Sequence, residues 1–332
     1  MKKVFVTGYL GFIGAQLIPL LRERGLEVTG CDMGLFRGCE WYGKVEVDHA
    51  LCKDIRTLDV ADLRDHDAVI HLAALSNDPM GNVNPRLTED INHKGAVYVA
   101  RLAKLAGVKR FLFAGSCSVY GKGEKLHLDE TAPLAPLTPY AKSKVDAEAD
   151  ILALKDLHFT PVSLRLATAY GSSPLLRLDL VVNQLVAMAY TEGRIALNSD
   201  GSSWRPLIHC KDIAAAFVSF LFADAALVKG EAFNVGTENT QIFALARMIQ
   251  EFFPHSHITF GSDSTPDPRS YCVTFDKLKK ALPAFQPHYS LQKGIGELIR
   301  DFQVYGLSQK ELFSSKFIRL KHLEETRVLS VF

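Results

Sequence analysis

The sequence predicts an α/β fold, a Rossmann-type doubly wound parallel sheet with a smaller mixed α/β substrate lobe. Short apolar strands alternate with longer helical segments through the first half of the chain, and the first strand runs into a glycine-rich turn that opens a helix. Without any internal repeat, a chain of 332 residues with 48% apolar and 23% charged composition can bury a large core.

In order, the pattern gives a strand at 3–7, a helix from about Phe12 to Arg24, and strands at 27–31 and 68–72. A helix near 89–106, a strand at 110–114, a helix from Pro139 to about Leu154 and a strand at 162–166 follow. Parallel strands joined this way need right-handed crossovers, which place helices on both faces. The pattern loosens around 170–177, so a cofactor domain over 1–172, with contributions from 205–238, and a substrate lobe over 173–332 are expected. Ligands of such sheets bind beyond the carboxyl ends of the strands, that is near Thr7, Asp32, Leu72 and Gly115.

The formal net charge of +1 supplies no broad basic field for nucleic acid. With no apolar run of membrane-spanning length and no secretion signal in MKKVFVTG, a cytoplasmic protein is expected. Cys31, Cys39, Cys52, Cys117, Cys210 and Cys272 form neither a CxxC pair nor a Cys/His cluster, so no metal site is expected.

In VFVTGYLGFIGAQLI, Gly8 allows a tight turn, Gly11 leaves room for a pyrophosphate, and Gly14 lets the helix pack on the strand, with Phe12 and Ile13 at the helix N-terminus. Asp32 ends the second strand, where a carboxylate accepts bonds from both ribose hydroxyls and repels a 2′-phosphate; NAD is therefore expected over NADP. Asp54 and Ile55 either close over the adenine or form an exposed acidic turn. Leu72, Ala73 and Ala74 either admit the cofactor to the backbone or pack tightly.

Thr138-Pro139 is an N-cap followed by proline at the first helical position. Tyr140 and Lys144 then share one face of the new helix, and an ammonium beside a phenol favours the phenolate, so that Tyr140 can exchange a proton with a sugar hydroxyl. Ser116, just past a buried strand, is placed to bond the same reacting oxygen or, alternatively, to satisfy a turn.

TGxxGxxG, HLAA, SxSVYG and YxxSK, in this order and spacing, resemble the extended short-chain dehydrogenase/reductase family of nucleotide-sugar epimerases, dehydratases and dehydrogenases. The resemblance extends through Arg205–Asp212 to Ile299 and implies a catalytic set of Ser116, Tyr140 and Lys144, a tightly held NAD that contacts Tyr140 and Lys144, and a homodimer. Oxidation at C4 of a nucleotide-diphosphate sugar is the reaction it implies, ending in a 4-epimerase or a 4-dehydrogenase. Dehydratases of the family typically carry Asp-Glu where this chain has Cys117 and Ser118; a dehydratase working through Cys117 and a non-catalytic dinucleotide-binding regulator are the alternatives. Packing and proton transfer both remain open for Cys117.

RLAT…GSSP…RLDL..N is similar to a stretch of enzymes that oxidise C4 of nucleotide-linked heptoses. It points to Thr168, Arg177, Asn183 and a helix at 179–190 as substrate-facing. Arg205 stands where the family binds substrate phosphate, with a structural ion pair as its other reading; His209 is read as structural. Ser264 occupies a place where family members often carry arginine, and Arg269 is expected to supply that charge. The tail beyond about Gln303 extends past the usual family end and is expected on the lobe or on a partner subunit.

Overall fold

The computed structural model describes residues 1–122, 127–261, 265, 267 and 269–327. Seven parallel strands form the main sheet: β1 (Lys3–Thr7), β2 (Glu27–Cys31), β3 (His49–Leu51), β4 (Ala68–His71), β5 (Arg110–Ser116), β6 (Thr160–Leu166) and a strand from much later in the chain, Glu231–Val235. That late strand pairs with β6 at one edge, and the order from there inward is β6, β5, β4, β1, β2, β3. The sheet therefore reverses direction of growth at β1, which leaves a crevice beyond its carboxyl end.

Strand alternation divides the core into two layers. Val4 and Val6 of β1, Ala68 and Ile70 of β4, and Leu112 and Ala114 of β5 face one layer, whereas Phe5, Val69, Phe111 and Phe113 face the other. The first layer is closed by α1 (Gly14–Glu23) and by the helix Cys210–Phe222, through Leu17, Leu21, Phe217 and Phe220. The second is closed by α2 (Ala96–Leu105) and α3 (Pro139–Leu152), through Val99, Ala103, Ala147 and Ile151. A strand buried on both faces reads as an unbroken apolar run, as VFV and FLFAG do.

The helix expected near 89–106 begins as a π-helical turn over Glu89–Gly95 before α2. The one expected at 179–190 is displaced to α4 (Val181–Glu192). Beyond β6 lie β7 (Thr168–Tyr170), β8 (Arg194–Leu197) and β9 (Trp204–His209), then α5, the helix Cys210–Phe222 already described, and β10, the strand Glu231–Val235. β11 (Glu238–Gln241), α6 (Ile242–Phe252) and β12 (His257–Phe260) precede α7 (Leu291–Tyr305). Sheets β11-β9-β7 and β12-β8, with α4, α6 and α7, enclose a second core around Leu185, Ile195, Leu207, Ile249, Leu298 and Phe302.

The described residues past Gln303 fold onto their own chain. Leu307, Leu312 and Phe317 enter the lobe core, and a last helix, α8 (Arg319–Glu325), crosses to the main-sheet side, where Leu323 packs with Leu75, Met80 and Leu87. Trp41, from the loop after β2, joins the lobe core and donates from Nε1 to the Gly306 carbonyl at 2.9 Å.

Inside the lobe, the buried Glu297 of α7 accepts from His209 Nε2 at 2.7 Å, Lys211 Nζ at 2.6 Å and the Tyr289 hydroxyl at 3.1 Å. His209 stacks on Tyr289 with ring centroids 3.8 Å apart. Burial raises the Glu297 carboxyl, but the bonds from His209 and Lys211 outweigh it and hold it down at about 2. Removing one member of such a network strands the others in a dry interior. Glu297→Ala is expected to cost about 3–5 kcal/mol of stability in denaturant titration, and a loss under about 1 kcal/mol would show the network to be dispensable.

Candidate active site

A single cavity of about 930 Å³ runs from the glycine turn, past the ends of β4 and β5, to the lobe. All of Gly8, Gly11, Phe12, Ile13, Gly14, Asp32, Asp54, Ile55, Leu72, Ala73 and Ala74 line it. So do Ser116, Ser118, Tyr140, Lys144, Thr168, Arg177, Arg205 and Arg269.

At the turn, backbone proximity selects glycine. A Cβ on Gly8, whose φ is +71°, would lie 2.6 Å from Ala73 N, and one on Gly14 would lie 2.4 Å from the Tyr9 carbonyl oxygen. Gly8 is thus pressed against the Ala73 backbone, so HLAA serves the packing of β1 on β4, while Leu72, Ala73 and Ala74 still face the cavity. Asp32 accepts from Gly34 N at 2.7 Å and Leu10 N at 3.2 Å, which aims its carboxylate at the turn. Asp54 caps a short 3₁₀ turn and binds Arg56 through both oxygens, with Nη2 to Oδ2 at 2.6 Å. The bare cradle, the aimed carboxylate and the N-terminus of α1 fit a dinucleotide.

On α3, Thr138 caps the helix by accepting from Ala141 N at 3.1 Å and donates from its hydroxyl to Asp78 Oδ1 at 2.6 Å. Ser116 stands beside Tyr140 and eases its ionisation, while its own hydroxyl accepts from Ser118 N at 3.2 Å and shares a hydrogen bond with the Ser118 hydroxyl at 2.9 Å. Lys144, almost wholly buried, donates to the Ala114 carbonyl at 2.8 Å, and its Nζ lies 4.7 Å from the Phe113 ring centroid and 5.9 Å from that of Tyr140. One turn further on, Glu148 accepts from Arg165 Nη2 at 2.6 Å and from the Ser163 hydroxyl at 2.7 Å, tying the buried face of α3 to β6.

The sequence predicts a phenol eased towards ionisation by its lysine. In the protein alone, burial and the charge of Asp78, opposed by the nearby Ser116 hydroxyl and the charge of Arg177, push Tyr140 up to about 12, and burial pulls Lys144 down to about 7. Desolvation of both charged forms exceeds their mutual attraction at this separation. Beneath them the buried His71 pairs Nδ1 with the Thr7 hydroxyl at 2.9 Å and leaves Nε2 without a partner. Burial, with Lys144 nearby, drops it to about 3, so it stays neutral.

Two residues expected to face substrate turn away from it. Cys117 is fully buried, its thiol donates to the Arg165 carbonyl at 3.1 Å, and burial pushes its pKa well up, which suits packing and not proton transfer. Asn183 is fully buried as well: it accepts from Gly171 N at 2.8 Å and donates to the carbonyls of Gly171 and Arg177, so it clamps the start of α4. Both are polar side chains captured by backbone, a destination that spacing does not reveal.

The arginines do reach the cavity, but in company. Arg177 binds Asp179 through Nε and Nη2, both at 2.9 Å, and donates to Ser76. Arg205 donates to Asp267 at 2.6 Å and to the Arg269 carbonyl, while Arg269 spans Asp267 and Asp78, reaching the latter at 2.7 Å. Burial raises the Asp267 carboxyl, yet the Arg269 bonds and the Arg205 charge leave it below its ordinary value. Asp78, Asp179 and Asp267 are not singled out by the sequence; an Arg-x-Asp or Asp-x-Arg spacing is the available signal for Asp179 and Asp267, whereas Asp78 meets Arg269 across 191 residues and has none. Ser264 lies outside the described residues. Among the described residues no group of three or more His, Cys, Asp or Glu could hold a metal, and no helix is long and apolar enough to cross a membrane.

A dinucleotide cradle at the sheet's switch point, leading into a Ser/Tyr/Lys cluster, defines an oxidoreductase-type site. The chain belongs to the NAD dependent epimerase/dehydratase family, whose model matches residues 4–236, and is an NAD-dependent enzyme of the extended short-chain dehydrogenase/reductase type. It is 30% identical over 322 residues to a UDP-glucose 4-epimerase of Mycolicibacterium smegmatis, covering 91% of this chain and 98% of that one. It is 26% identical over 313 residues to a UDP-glucuronate 4-epimerase of Thermodesulfobacterium geofontis, covering 89% and 94%. Among solved structures, MoeE5 in complex with UDP-glucose and NAD superposes with a TM-score of 0.79 at 25% identity, over 91% of this chain and 99% of that one.

Lys144 carries a linkage consequence. Its pKa is lower folded, about 7, than unfolded, 10.5, so above pH 7 the unfolded chain binds more protons and folding stability gains with rising pH. In NAD-free protein, the melting temperature from about pH 7 to about pH 9 is expected to rise more steeply for wild type than for Lys144→Met. Identical slopes would place the lysine charge in a solvated setting.

Proposed function

We propose that this enzyme is a nucleotide-sugar 4-epimerase, taking hydrogen from C4 of a nucleotide-diphosphate sugar and returning it to the other face. The observation that carries the reading is the cluster at the end of β5, where Ser116, Tyr140 and Lys144 line one cavity and Lys144 is held there by its bond to the Ala114 carbonyl. NAD bound in the cradle supplies the hydride acceptor and donor.

Tyr140 is the group that takes and returns the C4 hydroxyl proton, and Ser116 holds that hydroxyl oxygen by a hydrogen bond. A phenol at about 12 is a reluctant acid, and an ammonium at about 7 is a reluctant cation. Ionised together they relieve each other, because a phenolate beside the lysine raises the lysine and the ammonium lowers the phenol. Lys144 thus acts by charge and does not itself touch the sugar. Phe12, Leu72 and Leu180 on the walls keep the exchange away from bulk water.

At the lobe end, Arg205 and Arg269 offer guanidinium donors for the sugar-linked diphosphate, and Thr168 lines the path between them and Tyr140. Elimination of water would need an acid and a base beyond C4. Cys117 faces the Arg165 carbonyl, and Ser118 has no carboxylate, so the dehydratase reading lacks its groups. A 4-dehydrogenase would use the same residues and differ in the fate of the hydrogen.

Incubated with UDP-sugars in deuterated water, the enzyme is expected to give an isomer of unchanged mass without carbon-bound deuterium. Product lighter by dihydrogen would replace epimerase with dehydrogenase, and product lighter by water would restore the dehydratase. Tyr140→Phe is expected to lower turnover about 10²- to 10⁴-fold with NAD content unchanged; unaltered turnover would remove Tyr140 from the chemistry.

A further inference from the structure

Four arginines stand on the cavity wall: Arg177, Arg205, Arg269 and Arg319. Arg177 is paired with Asp179, and Arg205 and Arg269 share Asp267. Arg319, the first residue of α8, is 2% exposed, and among the described residues no carboxylate pairs with it. Its Nη2 donates to the Leu175 carbonyl at 3.1 Å, and its guanidinium carbon lies 4.4 Å from the Phe36 ring centroid, against the Cys39 thiol. Nη1 is buried and has no hydrogen-bond partner.

A buried guanidinium without a counter-charge costs several kcal/mol unless an anion arrives to meet it. Burial, then the neighbouring charge of Arg177, pulls Arg319 down to about 10 against the opposing influence of Cys39 and of Asp179, whose carboxylate is already taken by Arg177, so it remains a cation at neutral pH. Its surroundings say which anion. Leu175 packs with Ala15 of α1 and with Cys39, and Ser173, two residues earlier, donates to the Phe12 carbonyl at 2.8 Å. Phe36 follows closely on Asp32. Arg319 is thus held by segments that pack on the glycine turn or follow Asp32, with the charges of Arg177 and Asp179 acting on it, on the dinucleotide's side of the cavity and not at the Arg205–Arg269 end.

α8 is fastened on both sides of that place. His322 bonds the Leu35 carbonyl from Nε2 at 2.9 Å and approaches the Cys39 thiol at 3.2 Å from Nδ1, in the loop after β2. Leu323 and Leu320 pack on Leu75, Met80 and Leu87, in the segment after β4. β1 lies between β2 and β4 in the sheet, and Arg319 and Leu323 of the helix line the same cavity as the glycine turn that ends β1.

We propose that Arg319 is a binding residue for the diphosphate of NAD and that α8 is a clasp which keeps the dinucleotide in place between turnovers. The inference rests on NAD being the cofactor and not on the sugar reaction. An epimerase must keep its NAD until the hydrogen is returned, and a segment folded across the diphosphate gives that retention a structural cause.

Arg319→Met keeps the stem on Phe36 and removes the charge. NAD titrated into NAD-stripped protein, followed by calorimetry, is expected to bind this variant about 10- to 100-fold more weakly than wild type, as loss of a charge-assisted hydrogen bond implies. The NAD-free variant is expected to melt higher than NAD-free wild type, because an unpaired buried charge is gone; a residue needed only for structure would melt lower. UDP binding to the NAD-loaded protein is expected to stay within about twofold.

Unchanged NAD affinity overturns the proposal, as does a variant that loses UDP affinity instead. Should Arg319→Met fail to fold, Arg319→Lys keeps charge and stem but not the planar fork, and about 3- to 10-fold weaker NAD binding is expected of it, equal affinity being the overturning result. Wild-type protein that binds no NAD overturns the clasp together with the cofactor. Weakened NAD binding in an enzyme that turns out not to epimerise supports the clasp and removes only the proposed reaction.

Discussion

The buried ion pair between Glu148 of α3 and Arg165 of β6 sets the geometry on which the site depends. Tyr140, Lys144 and Glu148 follow one another at helical spacing on a single face. Arg165 holds Glu148 through two nitrogens, and its Nη1 donates to the Tyr120 hydroxyl at 2.8 Å, which in turn donates to Asn234 of β10. A chain of bonds thus runs from α3 through two strands of the sheet, and it fixes the rotation of α3 that brings Lys144 under Ala114. A buried pair of this kind adds little net stability against an apolar alternative, so its value here is in orientation.

Charge in a dry cavity is the second theme. Lys144, Arg177, Arg205 and Arg319 are all at least mostly buried along one cavity, where Asp179 pairs with Arg177, Asp267 and Asp78 serve Arg205 and Arg269, and among the described residues no carboxylate pairs with Lys144 or Arg319. His71 sits in the same region and answers by staying neutral. Such a wall is costly empty and favourable when two diphosphates occupy it, which links the stability of the protein to its ligands. The cations without a carboxylate are Lys144, beneath Tyr140, and Arg319, on the glycine-turn side, whereas the two at the lobe end are matched by Asp267 and Asp78.

The tail shows how an addition to a fold can act on an existing site. Phe317 and Leu312 anchor it in the lobe core before α8 crosses back, and the loop carrying Trp41 and Cys39 meets it from the opposite direction. Two stretches far apart in the chain thereby close over the same opening. Neither could be placed by periodicity, since each is short and its apolar residues are spent on contacts between lobes.

The strands were legible in the sequence because a parallel sheet covered on both faces demands continuous apolar runs, and VFV, FLFAG and VSLRL offer little else to do. The glycine turn and the Tyr-Ala-Lys-Ser-Lys helix were legible for the same kind of reason: local backbone conformation and helical spacing are properties of neighbouring residues. What spacing could not decide was where polar side chains find their partners. Cys117 and Asn183 lie within otherwise informative motifs yet are taken by the carbonyls of Arg165, Gly171 and Arg177, and Arg205 and Arg269 meet only once Asp267 comes between them. The ionisation of Tyr140 and Lys144 likewise depended on burial, which no local pattern encodes. Local sequence determined the cradle and the shared face of Tyr140 and Lys144; long-range packing alone decided which charges are paired, which are left waiting, and that Arg319 is among the latter, because a counter-ion in a folded chain can come from any distance along it.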